Sequence, residues 1–151
     1  MKIAIGADHR GFELKSKLVA FLEKDRHEVM DFGTDSTESC DYPMIGYNVA
    51  KSVAKGESDK GVLICMSGMG MSIVANKVPG ARAAICDTEA DAGLSREHND
   101  TNVIIISAKY VKDNPEDILK AWFKAEISEG RHKKRVGQIK EIETKIIKGE
   151  L

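Results

Sequence analysis

Five short runs, apolar almost throughout, punctuate this chain: Ile3-Ala4-Ile5, Val29-Met30-Asp31-Phe32, Val62-Leu63-Ile64-Cys65, Ala83-Ala84-Ile85-Cys86 and Val103-Ile104-Ile105-Ile106. Continuous rather than alternating hydrophobicity marks strands covered on both faces, as parallel strands are. The segments between them carry helical periodicity. Leu14, Leu18, Phe21 and Leu22 form one stripe, Ile45, Val49 and Val53 a second, and further helices are expected near 72–77, 90–97, 115–127 and 136–148. Strict β-α alternation points to an α/β fold: a three-layer α/β/α sandwich, Rossmann-like, around a five-stranded, mostly parallel sheet. At 151 residues, a single domain spanning 1–151 accounts for the chain.

Composition narrows the function classes. Lys plus Arg total 23 against 24 Asp plus Glu, a net charge of -1, and aromatics make up 5% of residues. Bulk attraction to nucleic acid or to an anionic membrane is therefore not expected, and any anion site must be a local cluster. The first apolar run is too short for a signal peptide and no later one has the length to cross a bilayer. Cys40, Cys65 and Cys86 make no disulfide framework and no C-x-x-C pair, which suits reduced thiols in a cytoplasmic setting. Four histidines without metal-ligand spacing give no zinc signature, and no metal or cofactor is expected.

In α/β folds, ligands bind beyond the carboxyl ends of strands, and polar residues concentrate around the strand ends here. The first strand ends in Gly6-Ala7-Asp8-His9-Arg10-Gly11 and the third in Cys65-Met66-Ser67-Gly68-Met69-Gly70. The latter turn could aim several backbone N–H groups at an oxyanion or phosphate. It is neither a dinucleotide fingerprint, because Ile73 stands where a third glycine belongs, nor a Walker A loop. Simple turn chemistry is the bland alternative. Cys65 could be a carbon-acid base, a nucleophile or a buried core thiol. His9 and His98 are acid-base candidates expected at the functional edge of the sheet, whereas His27 reads as structural. Arg131-His132-Lys133-Lys134-Arg135 is the one dense basic cluster, expected just before the last helix. Arg131 and Arg135 are its best phosphate ligands, because guanidinium binds phosphate bidentately. Along the last helix, Val136, Ile139, Ile142 and Ile146 make a narrow stripe, suited to the parent domain or to another subunit.

Taken in order, Ile3 through Gly11, Asp31-Phe32-Gly33-Thr34, Asp41-Tyr42-Pro43, Cys65 through Gly70, Ala75 through Gly80, Arg96 through Asp100, Gly130-Arg131-His132 and Arg135-Val136 resemble the ribose-5-phosphate isomerase B and galactose-6-phosphate isomerase family. The resemblance implies a metal-independent aldose-ketose isomerase of sugar phosphates, working through a cis-enediolate, with active sites between the subunits of a homodimer or dimer of dimers. Cys65 then matches the base, Ser67 a hydroxyl that moves protons between sugar oxygens, and His98 the residue that assists ring opening. Met66, Gly68, Met69 and Gly70 match the oxyanion loop. Asp8, Tyr42 and Asn99 match contacts to the sugar, and His9, Arg131 and Arg135 the phosphate end. Three positions depart from the family pattern: Met66 replaces a glycine, Ser67 a threonine, and Lys109 a position that is often arginine. Ribose 5-phosphate is the leading substrate. Galactose 6-phosphate, allose 6-phosphate or a four-carbon sugar phosphate is the alternative within the class, and a non-catalytic nucleotide or small-molecule binding module the alternative outside it.

Overall fold

The computed structural model describes residues 1–151. Five strands, β1 (Lys2–Ala7), β2 (Glu28–Asp31), β3 (Lys60–Cys65), β4 (Ala83–Ile85) and β5 (Val103–Ser107), form one sheet in the order β2-β1-β3-β5-β4. Every pairing is parallel. The helices are α1 (Phe12–Lys24), α2 (Pro43–Ala54), α3 (Met69–Ala75), α4 (Glu89–Asn99), α5 (Pro115–Lys124) and α6 (Arg131–Lys148).

Alternate residues of each strand feed two separate cores. Ile3, Ile5, Val62, Ile64, Ile104 and Ile106 face Leu18 and Leu22 of α1, Ala92 of α4 and Ile118, Leu119 and Trp122 of α5. Ala4, Leu63, Cys65, Val103 and Ile105 face Val49, Ala50 and Val53 of α2 and Met71 and Ala75 of α3. These two layers are why the strands read as continuously apolar. Burying one leucine such as Leu22 is worth roughly 1.5–3 kcal/mol, and truncating it to alanine costs about 2–5 kcal/mol.

Local chemistry sets the helix ends. Thr88 caps α4 by accepting from the Asp91 amide, and Asn114 caps α5 by accepting from Glu116, with Pro115 at the first helical position. Three sequence expectations shift, the first being the third helix, which runs Met69–Ala75 rather than 72–77. The basic cluster is the first turn and a half of α6, which begins at Arg131 rather than after it. The fifth helix stops at Lys124, short of 127. Of the last helix's apolar stripe only Val136 is buried, while Ile139, Ile142 and Ile146 stay exposed.

The chain leaves β1 for β2 on one side, then returns to β3 on the other. That reversal opens a crevice beyond the carboxyl ends of β1 and β3. Asp8 and Cys65 stand at its two walls.

Candidate active site

Cys65 is the last residue of β3 and is 6% exposed. The chain then turns through Gly68, whose φ of 78° is left-handed and suits glycine alone, into α3. The turn brings the Gly68 amide back to the thiol, donating to Sγ at 3.0 Å. Burial pushes the Cys65 thiol above its ordinary pKa, and the Asp8 carboxylate adds to the rise. The amides of Gly68, Met71 and Ser67 oppose it. Amide donors are thus the groups that favour the thiolate against burial.

Backbone and side-chain bonds fix the loop after Cys65 from beneath. The Ala108 and Lys109 amides donate to the carbonyls of Cys65 and Met66 at 2.8 and 3.1 Å. The Ser107 hydroxyl lies 3.0 Å from both the Ser67 carbonyl and Asp87 Oδ2, and the Ser107 amide donates to Asp87 Oδ1 at 3.0 Å. Ser107 and Asp87 were not among the residues picked from sequence. Each is a polar residue at or just past the end of a strand, the signal that singled out Asp8 and Cys65.

On the opposite wall, Asp8 Oδ1 accepts from the amides of Arg10 and Gly11 at 3.0 and 3.1 Å, which aims the carboxylate. His9 Nδ1 accepts from the Cys40 amide at 3.2 Å. An amide can only donate, so Nδ1 is bare and the neutral ring carries its proton on Nε2. The loop bearing Cys40 is anchored where it leaves β2: buried Lys15 binds Asp31 at 2.5 Å and the Thr34 carbonyl at 2.7 Å. Tyr42, before α2, lays its ring against Gly70, where a Cβ would stand 2.5 Å from Cζ. Asp8, His9, Tyr42, Cys65 through Gly70 and Lys109 thus all gather at one edge of the sheet.

His98 and Asn99 do not join them, contrary to the expectation for His98. Helix α4 runs back from the end of β4 to the start of β5, so its last turn lies at the amino-terminal edge. Cys65 pairs in register with Ser107, four residues beyond Val103, and these four residues span about 13 Å of strand. A second cluster forms around His98 instead. Its ring stacks on His132 with centroids 4.0 Å apart and planes 4° from parallel. In the sequence His132 is one member of the basic cluster, and its partnership with His98 leaves no mark there. Arg131 Nε reaches the ring of His132 at 3.4 Å, and Arg135 lies one turn along α6. Burial, His98, Arg131 and Arg135 together hold the His132 pKa below its ordinary value. Asp100 locks the turn beneath, with one carboxylate oxygen on Arg96 at 2.6 Å and the other on Arg82 at 2.9 Å.

No three His, Cys, Asp or Glu side chains converge to hold a metal ion. No helix is long and apolar enough to cross a membrane. A thiol held by amides, a carboxylate across the crevice, a phenol against the glycine turn and a separate group of cations are residue types suited to acting as a base, oxyanion donors and anion anchors.

That combination suits proton transfer on an anionic substrate, and comparison with known proteins gives the class. The family model described as Ribose/Galactose Isomerase matches residues 3–139. Ribose-5-phosphate isomerase B of Escherichia coli is 48% identical over 143 residues, covering 94% of this chain and 96% of that protein. The solved ribose-5-phosphate isomerase B of Clostridium thermocellum is 51% identical and superposes with a TM-score of 0.92, covering 97% of this chain and 99% of that one. The Mycoplasma genitalium enzyme, solved with bound ribulose-5-phosphate, is 35% identical with a TM-score of 0.89, covering 95% and 96%. The chain belongs to the ribose/galactose isomerase family and is an aldose-ketose isomerase.

Proposed function

We propose that this enzyme interconverts ribose 5-phosphate and ribulose 5-phosphate in sites built from two copies of the chain. The placement of Cys65 at the β1/β3 crevice, with its sulfur in the Gly68 amide and Asp8 across from it, carries the reading. The relatives' activity and the Mycoplasma genitalium complex favour this sugar among aldose phosphates.

The Cys65 thiolate takes the proton from carbon 2 of the open-chain aldose. The C–H electron pair becomes the C1=C2 bond of a cis-enediolate, and the former carbonyl oxygen takes the negative charge. Amides of the Met66–Gly70 loop other than that of Gly68, which holds the sulfur, supply donors to that oxygen, each good donor being worth about 3–4 kcal/mol. Ser67 carries the hydroxyl proton of oxygen 2 to oxygen 1, and Cys65 returns its proton to carbon 1, leaving the ketone at carbon 2. Asp8 and Tyr42 bind sugar hydroxyls. His9 donates through Nε2–H to the phosphate, with Lys109 beside it.

His98, Asn99, Arg131 and Arg135 reach this site from a second copy. Exposed Met44, Met69 and Ile73 flank the Cys65 edge, and exposed Ile139, Ile142 and Ile146 line α6 next to the His98 cluster. Such apolar surfaces suit subunit contact. In the assembled site His98 opens the cyclic sugar, Asn99 supports it and the two arginines grip the phosphate. Three free cysteines accord with a cytoplasmic setting.

The test is turnover on ribose 5-phosphate, allose 6-phosphate, galactose 6-phosphate and a four-carbon aldose phosphate, by wild type and Cys65→Ala. Ribose 5-phosphate should be turned over fastest, and folded Cys65→Ala should be nearly inert. Preference for another sugar would correct the substrate, and a Cys65→Ala enzyme of undiminished activity would remove the proposed base.

A further inference from the structure

Met66 and Arg10 meet across the crevice. Met66 follows Cys65 on one wall and Arg10 follows His9 on the other, and Arg10 Nη1 lies 3.1 Å from Met66 Sδ. The thioether is neutral and a weak acceptor, a poor final partner for a guanidinium with five donors. Arg10 makes no ion pair with any carboxylate, unlike Arg82 and Arg96, which share Asp100. Its backbone N–H donates a hydrogen bond to Asp8 Oδ1, so the exposed side chain pivots from a fixed base. Lys109, tied to the same Met66 through its backbone, holds its ammonium 5.3 Å from the Tyr110 ring and offers only a point charge.

We propose that Arg10 is a further substrate-binding residue, a guanidinium that Met66 steers over the crevice to grip the phosphate of the sugar bidentately. The inference rests on the sugar-phosphate reading above. Unpaired positive charge at a crevice mouth attracts a dianion, and exchange of a thioether for phosphate oxygens replaces a weak contact with charge-assisted hydrogen bonds. Met66 holds the side chain near its bound position, which reduces the ordering required when substrate arrives.

The experiment compares wild type, Arg10→Ala, Arg10→Lys, Met66→Leu and the Arg10→Ala/Met66→Leu double variant. Readouts are kcat and KM for ribose 5-phosphate and, separately, the Kd of inorganic phosphate by calorimetry. Loss of one charge-assisted grip should raise both KM and phosphate Kd about tenfold in Arg10→Ala, with kcat within about twofold of wild type. Arg10→Lys should recover part of the loss. Met66→Leu keeps the bulk but removes the sulfur. It should raise KM about threefold in the Arg10 enzyme and not at all in Arg10→Ala. Unchanged KM and Kd in Arg10→Ala, or a fall in kcat alone, would overturn the assignment. If the wild type fails to turn over ribose 5-phosphate, the substrate assignment falls, whereas phosphate binding that still weakens in Arg10→Ala would sustain the role of Arg10.

Discussion

The ring of Tyr42 closes on Gly70 so tightly that a Cβ at position 70 would stand 2.7 Å from its hydroxyl oxygen. The obstructing atoms are the far end of a movable side chain, so a methyl at 70 displaces Tyr42 rather than the backbone. Gly70→Ala should change stability by less than about 1 kcal/mol, since alanine is the better helix former in α3. It should also raise KM severalfold by moving the phenol off the sugar. In a Tyr42→Ala background the same substitution should add nothing. Steady-state kinetics on the four proteins check this, and additive losses would contradict it.

Cys65 must be a thiolate to act, and its buried position favours the thiol. In the free enzyme kcat/KM should therefore rise with pH and continue rising beyond the ordinary thiol value of 9.0. Alkylation of Cys65 by iodoacetamide should follow the same limb. A plateau reached below pH 7 would show a thiolate stabilised in the free protein by something other than these amides.

The other buried thiol affects stability instead. Burial raises Cys86 from 9.0 to about 11, so between these values the unfolded chain gives up its proton while the folded one keeps it. The unfolded state then binds fewer protons and stability falls as pH rises, by about 2–3 kcal/mol across the window. Denaturant melts from pH 8 to 11 should show a shallower decline in Cys86→Ala than in wild type.

The separation of Cys65 from His98 within one chain makes a prediction about mixtures. Cys65→Ala and an Arg131→Ala/Arg135→Ala variant should each be nearly inactive alone. After reassortment of a 1:1 mixture, half of the dimers are mixed and each holds one intact site, so activity should recover to about one quarter of wild type. No recovery despite demonstrated subunit exchange would place the whole site within one chain.

Much of this arrangement was legible in the sequence, because parallel strands buried on both faces leave no polar alternation to disguise them. The runs at Val62–Cys65 and Val103–Ile106 lie in adjacent central strands, and Cys65 with its glycine turn ends at the crevice as expected. His98 was placed at the wrong edge, although its position held the clue. A residue just before a parallel strand lies at the opposite edge from residues just after one. The basic run at 131–135 reads as a stretch before the last helix because charge alone says little about a helix start, while lysine and arginine propagate helices well. The His98 stack on His132 and the Arg10 contact with Met66 join residues far apart in the chain, and no local pattern announces them.

The most direct measurement follows the hydrogen that Cys65 is proposed to carry. Ribose 5-phosphate incubated in deuterated water with wild type should give ribulose 5-phosphate bearing solvent deuterium at carbon 1, detected by NMR. Folded Cys65→Ala should slow both product formation and deuterium entry by at least about a hundredfold. Equal turnover and equal deuterium incorporation by the two proteins would contradict Cys65 as the base.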